Sequence, residues 1–246
     1  MTEFSGLAAV VTGGASGIGA AIVTELTDRG CRVAVLDREP AEPSRGVVSV
    51  RVDVSDDPSV RAGVAEAAEQ IGGIDIVVNC AGISATGDVT ANGDDEWHRV
   101  LDVNVVGIAR VTRAALPWLR RSPHPAVVNI ASVVAHVGVV DRVLYGASKG
   151  AVAAMTLAMA ADHVREGIRV NAVSPGTADT PWVERLLQNA ADPAAAAEAL
   201  RARQPMGRLV SAAEVAYAVA SLASPRAGAT TGTLLSVDGG MARVRA

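Results

Sequence analysis

The chain has 246 residues, half of them apolar, with 22 basic and 26 acidic side chains and a formal net charge of -4. That length and apolar content suit one α/β domain with a large core and require no second domain. Three Trp, two Tyr and one Phe offer no platform for stacking bases, and the mild acidity gives no field for a polyphosphate backbone, so nucleic acid is excluded as a partner.

The amino terminus, Met1 to Gly6, leads directly into an apolar segment and has neither the basic nor the apolar region of a secretion signal. A cytoplasmic protein is the expectation. Val-rich runs at about 8–12, 32–37, 47–52, 75–79, 126–131, 169–174 and 233–237 read as strands, with Ala-rich helical segments between them. This alternation predicts α/β architecture: a doubly wound parallel seven-stranded sheet with helices on both faces, spanning 1–246 as a single domain. One segment breaks the rhythm. From about 180 to 204, Pro181, Pro193 and a run of alanines predict a small helical lid over the substrate. The longest apolar stretch, Ala151 to Ala161, is about a dozen residues and reads as a buried helix face, shorter than a bilayer requires. No membrane partner is expected. Cys31 and Cys80 lie in or beside strands without metal-ligand spacing, and the four histidines form no cluster, so neither a disulfide nor a metal site is expected.

Gly13, Gly17 and Gly19 stand between the first strand and the helical run from Ala20. A glycine-rich turn of this kind, with Ser16 and Ile18 inside it, lets the backbone approach a pyrophosphate whose charge is met by free amides at the helix start. Asp37 ends the second strand, where its carboxylate can accept two hydrogen bonds from an adenosine ribose and repel a 2'-phosphate. The cofactor expected is therefore NAD rather than NADP, although Arg38 follows directly. Asp53 and Val54, at the end of the third strand, are in reach of adenine; Asp53 reads equally well as part of a helix start with Ser55 and Asp56. Asn79, Ala81 and Gly82 end the fourth strand, where small residues allow close packing against a ribose.

Tyr145 and Lys149 are spaced to share one helix face. A phenol ionises near pH 10 in water and is a poor base at neutrality. A cation about 4 Å away at an effective dielectric of about 20 contributes roughly 4 kcal/mol, the equivalent of roughly three pKa units. Ser132 follows the apolar run ending at Ala131, so its hydroxyl is placed at the carboxyl end of a strand, where open α/β sheets bind ligands.

Together these residues resemble the short-chain dehydrogenase/reductase family from about residue 5 to 240. The motifs that carry the resemblance are Thr12-Gly-x-x-x-Gly17-x-Gly19, Asn79-x-Ala-Gly82, Asn104, Ser132, Tyr145-x-x-x-Lys149, Asn171-x-x-x-Pro175-Gly176 and Val237-Asp-Gly-Gly240. Cys80 stands where the family commonly has asparagine. The resemblance implies a Rossmann-type domain and hydride transfer between NAD(H) and a secondary alcohol or ketone. Tyr145 would be the general acid/base and Ser132 the holder of the reacting oxygen. Lys149 would lower the tyrosine and bind the nicotinamide ribose. Asn104 would distort its helix and anchor a water leading from Lys149 to solvent. Pro175, Gly176, Thr177 and Thr180 would line the nicotinamide. A homotetramer is implied as well, through helices at about 98–120 and 143–165 and the last strand.

For the substrate, Arg142, Arg185 and Arg203 resemble the arginines of the 3-hydroxybutyrate and 2-keto-3-deoxy sugar-acid dehydrogenase branch, and a guanidinium fork suits a carboxylate. A hydroxy acid or sugar acid is the expected substrate, with His136 facing it. Two alternatives remain open: an NADPH-dependent 3-oxoacyl carrier-protein reductase, against which Asp37 speaks, and a protein that senses NAD without turnover, against which the intact Ser132, Tyr145, Lys149 and Asn104 speak.

Overall fold

The computed structural model describes residues 2–39, 46–188 and 192–245. Seven parallel strands form one sheet: β1 (Ala8–Thr12), β2 (Arg32–Asp37), β3 (Val47–Arg51), β4 (Ile76–Asn79), β5 (Ala126–Ile130), β6 (Arg169–Pro175) and β9 (Leu234–Val237), in the order β3-β2-β1-β4-β5-β6-β9. The strands lie within a residue or two of the positions read from the sequence. Parallel strands need crossovers, and helices supply them: α1 (Gly17–Asp28), α2 (Asp57–Ile71), α3 (Asp94–Leu101), α4 (Gly107–Leu119), α5 (Val143–His163) and α8 (Ala212–Ala223). The fold is a seven-stranded Rossmann-type domain.

Alternation along the strands divides the core into two layers. Ala9, Val11, Val33, Val35, Ile76 and Val78 pack against Ile22 and Leu26 of α1 and Val215 and Val219 of α8. Their neighbours Ala8, Val10, Ala34, Leu36 and Val77 pack on the other side, against Val60, Val64 and Ile71 of α2 and Val111 and Leu119 of α4. Because both faces are covered, the strands read as continuous apolar runs.

Two elements differ from the sequence reading in ways that matter. The helix that begins at Val143 runs for 21 residues and, with the turn to Glu166, is long and apolar enough to cross a membrane by length and composition. The shorter stretch read from the sequence left out its first turns, yet one face of this helix is committed to the protein, with Ser148, Lys149, Val152 and Thr156 buried. Between α3 and α4, residues Asp102–Val106 form a π-helical turn, so the predicted long helix is continuous but locally widened at Asn104.

The segment expected to be a lid contains α6 (Pro181–Gln188) and α7 (Pro193–Ala202). A two-residue parallel ladder between β7 (Ala178–Asp179) and β8 (Val210–Ser211) ties its two ends together. It therefore leaves and rejoins the domain at one place, beside the carboxyl end of β6.

Candidate active site

The sheet order reverses between β1 and β4, and the carboxyl ends of these strands are bound to each other. The Thr12 hydroxyl accepts the N–H of Cys80 at 3.0 Å and of Ala81 at 3.1 Å. Gly13, with φ +66°, lies so close that a Cβ there would be 2.9 Å from the Ala81 Cα, and a Cβ on Gly19 would fall 2.0 Å from the Gly13 carbonyl oxygen. Only glycines fit this turn, so bare backbone lines the crevice at the switch point, where α/β sheets take nucleotides. A Cβ on Gly17, whose φ is +55°, would lie 3.8 Å from the Thr180 side chain, so the lid begins opposite the glycine turn. Ser16 is the N-cap position of α1 and makes no side-chain cap bond. Asp37 reaches back from β2 and accepts the Ala15 N–H at 3.1 Å, which brings its carboxylate to the edge of the same crevice.

Asp53 is largely occupied by its own turn. One oxygen accepts both the N–H (2.9 Å) and the hydroxyl (2.6 Å) of Ser55, and these bonds hold the carboxyl below its ordinary range. The helix cap belongs to Asp56 instead. Val54 lines the wall beside Gly107, and Arg110 pins its carbonyl at 3.1 Å.

The side chain of Asn79 is committed to the core, whereas the sequence reading concerned the close approach of its backbone to a ribose. It is buried and donates to Thr112 Oγ1 at 3.2 Å and Asn129 Oδ1 at 2.8 Å, while Asn129 donates to Thr156 Oγ1 at 2.9 Å. This chain stitches β4 and β5 to α4 and α5, while Asn79 Oδ1 itself is buried without a partner. Ala81 and Gly82, by contrast, do border the crevice. A Cβ on Gly82 would lie 3.2 Å from Asn104 Oδ1 and 3.5 Å from Lys149 Nζ.

Tyr145 and Lys149 do share a face of α5: the ammonium lies 5.8 Å from the centroid of the phenol ring. Lys149 is buried, donates to the Ile130 carbonyl at 2.8 Å, and burial pushes its pKa down to about 8. The Tyr145 phenol responds first to its own burial rather than to Lys149. Burial pushes Tyr145 above its ordinary value, and the opposing influences come from the Ser132 hydroxyl and the Arg142 charge. Lys149 itself, lowered to about 8, still carries its charge below that pH.

Asn104 is fully buried on the π-turn. Its amide clamps the Ile83 backbone from both sides, donating to the carbonyl and accepting the N–H, each at 2.8 Å, and also donates to Ser148 Oγ at 3.1 Å. Ser148 Oγ in turn donates to the Tyr145 carbonyl at 2.8 Å. The helix distortion implied by the resemblance is present, and it aims Asn104 across to the loop after β4.

The residues expected at the substrate divide. Arg142 caps the start of α5. Asp141 before it has φ +58°, the one positive φ of a non-glycine among the described residues, and Gly87 donates to the Asp141 carbonyl at 2.9 Å. Arg142 NH1 donates to Thr86 Oγ1 at 2.6 Å, and burial together with the charge of Arg203 lowers its pKa. The structure thus brings Arg142 within electrostatic range of both Arg203 and Tyr145. His136 is tied to the end of β6, with Nε2 2.9 Å from Ser174 Oγ. The side chain of Arg185 lies outside the described residues. Pro175 ends β6, Gly176 donates to the Val237 carbonyl at 2.9 Å, and Thr177 offers its carbonyl to Gln204 Nε2 at 3.2 Å.

Four of the residues that shape this site carry no sequence signal of their own. Thr86, Arg110, Ser174 and Gln204 act through partners 27 or more positions away, a separation no local pattern exposes. A cleft of about 260 Å³ opens elsewhere, between Met206, Arg208, Glu214 and Asp238. Arg208 and Glu214 neutralise each other there.

Known proteins resemble this chain in sequence and fold. A family model described as "Enoyl-(Acyl carrier protein) reductase" matches residues 13–242. The cis-4-hydroxycyclohexanecarboxylate dehydrogenase of Sinomonas cyclohexanicum is 38% identical over 256 residues, with 98% of each chain covered. The chain belongs to the short-chain dehydrogenase/reductase family. Among solved structures, the ligand-free aldohexose dehydrogenase of Thermoplasma acidophilum superposes with a TM-score of 0.93 at 34% identity, covering 100% of this chain and 97% of that one. A variant of actinorhodin polyketide ketoreductase with NADPH gives 0.89 at 34% identity, covering 99% of each. Members of the short-chain dehydrogenase/reductase family are oxidoreductases that use a nicotinamide cofactor, and the bare glycine crevice of this chain has the shape such a cofactor needs.

Proposed function

We propose that the protein transfers a hydride between NAD(H) and a secondary alcohol or ketone that carries a carboxylate, a hydroxy acid or sugar acid. The observation that carries the carboxylate is the charge pairing at the mouth of the site: Arg142 and Arg203 repel each other beside Tyr145, and an anion between them removes that repulsion. The hydroxycarboxylate in the name of one relative and the aldohexose in that of one structure are consistent with this reading.

The cofactor supplies the hydride acceptor or donor. The backbone of Gly13 to Gly19, with Ser16 and Ile18, would hold the pyrophosphate opposite Thr180. Asp37 would take the adenosine ribose, Val54 and Asp53 would border the adenine, and Ala81 and Gly82 would pack against the other ribose. Pro175, Gly176 and Thr177 would back the nicotinamide.

At the reacting carbon, Ser132 donates a hydrogen bond to the substrate oxygen and Tyr145 takes the hydroxyl proton during oxidation. Burial raises the phenol, so oxidation needs help to form the phenolate, and Arg142 provides part of it. Lys149, poised at about 8, carries protons between the site and solvent, and Asn104 holds the Ile83 loop that covers this route.

Asp37 favours NAD. The NADPH in the similar ketoreductase structure and the nearness of Arg38 to Asp53 favour a second reading, NADPH-dependent reduction of an acyl ketone. Steady-state assays with NAD and NADP across neutral alcohols, hydroxy acids and sugar acids separate the two. A preference for neutral alcohols would sink the carboxylate reading, and binding of NAD with no turnover on the whole panel would favour a sensor.

A further inference from the structure

Gln204 follows the last turn of α7 and is only 1% exposed. Its two amide ends are used unequally. Nε2 donates to the Thr177 carbonyl at 3.2 Å, whereas Oε1 is equally buried and has no partner. Leaving a buried acceptor unsatisfied commonly costs about 1–3 kcal/mol. A leucine or methionine would fill the same space without that cost.

The surroundings show where the idle oxygen points. A Cβ on Gly176 would lie 2.6 Å from Oε1, and one on Gly239 would lie 3.5 Å away. Oε1 therefore faces the bare backbone of the loop after β6. The Gln204 backbone belongs to a third segment: its N–H donates to the Arg201 carbonyl, and its own carbonyl accepts the N–H of Gly207. The Met206 N–H binds the Gly239 carbonyl at 3.1 Å. Three parts of the molecule meet on this one side chain: the returning end of the lid, the Pro175 to Thr180 loop, and the turn after β9. Arg203, the residue immediately before it, exerts its charge on Arg142.

We propose that Gln204 is a positioning residue that couples the lid to the loop backing the nicotinamide, with Oε1 held as the acceptor for an N–H donor that arrives when this loop closes on the nicotinamide half of the cofactor. The proposal rests on the cofactor placement given above. It makes Gln204 sensitive to one half of the dinucleotide only, since the adenosine end binds at the distant edge of β2.

Calorimetric titration of the full chain with NADH and with ADP-ribose, which lacks the nicotinamide, tests this on wild type and Gln204→Met. The expected result is at least a tenfold loss of NADH affinity in the variant, with ADP-ribose affinity unchanged within twofold. Equal losses for both ligands, or no loss for either, would overturn the proposal. Failure of the wild type to bind either ligand would instead overturn the cofactor placement. Should Gln204→Met not fold, amide hydrogen exchange on the wild type decides. Joint protection of 176–180 and 203–207 by NADH but not by ADP-ribose supports the coupling, and any other pattern defeats it.

Discussion

Lys149 Nζ donates to the backbone carbonyl of Ile130 at 2.8 Å, which fixes the ammonium at the end of β5, two residues before Ser132. Burial at this point pushes the lysine down to about 8. Between pH 8 and the ordinary lysine range the unfolded chain holds a proton that the folded chain has lost, so stability rises with pH across that window. Below pH 8 both states are protonated and the full cost of burying the charge is present. Lys149→Met is expected to melt at a higher temperature than wild type at pH 7, with the gap closing by pH 10, while activity falls by at least about a hundredfold. Melting curves of both proteins across this range provide the check, and a gap independent of pH would contradict the assignment.

The phenol of Tyr145 is raised by burial and lowered by Ser132 and Arg142. Replacing Arg142 with alanine removes one of the lowering influences. The acidic limb of the pH profile for alcohol oxidation should therefore move to higher pH. If Arg142 also binds a carboxylate, KM for acids should rise about 10- to 100-fold, since a charged hydrogen bond contributes roughly 1.5–3 kcal/mol, with KM for neutral alcohols little changed. Rate profiles of Arg142→Ala on both substrate types report the two effects separately.

Asp37 accepts the Ala15 N–H of the glycine turn, and on the proposed cofactor placement its carboxylate would guard the position of a ribose 2'-substituent. In Asp37→Ser the ratio of kcat/KM for NAD to that for NADP should fall by at least about tenfold. The measurement is a pair of cofactor titrations at one fixed substrate concentration. An unchanged ratio would remove Asp37 as the determinant.

The Asn79 to Asn129 to Thr156 chain is buried throughout. Asn129→Ala strands donors and acceptors on both neighbours and should cost about 1–3 kcal/mol of stability. Urea denaturation reads the loss directly, and the cofactor Kd should stay near that of wild type. A weakened cofactor without a stability change would contradict a purely structural role for this chain of side chains.

The seven strands, their parallel sheet, the glycine turn and the Ser132, Tyr145 and Lys149 set were legible from the chain, because each has a local signature: a strand-length run of Val, Ala and Ile, a glycine spacing, an i,i+4 pair. The family follows from the same motifs. The role of the Asn79 side chain was not legible for a related reason. Local spacing puts it at a strand end but cannot say whether its amide turns toward the crevice or toward Asn129, fifty positions away.

What the sequence determined by itself is the covalent order of short-range patterns, and in a parallel α/β fold these dictate where each strand ends and hence where the crevice opens. Tertiary structure alone decided the electrostatics. Lys149 is lowered to about 8, Tyr145 is raised and Arg142 feels Arg203 because desolvation and charge proximity depend on what packs around each group, contributed by β5, α5 and the lid from distant stretches of chain. The unsatisfied oxygen of Gln204 has the same origin: burial without a partner exists only once three separate segments have closed on one side chain.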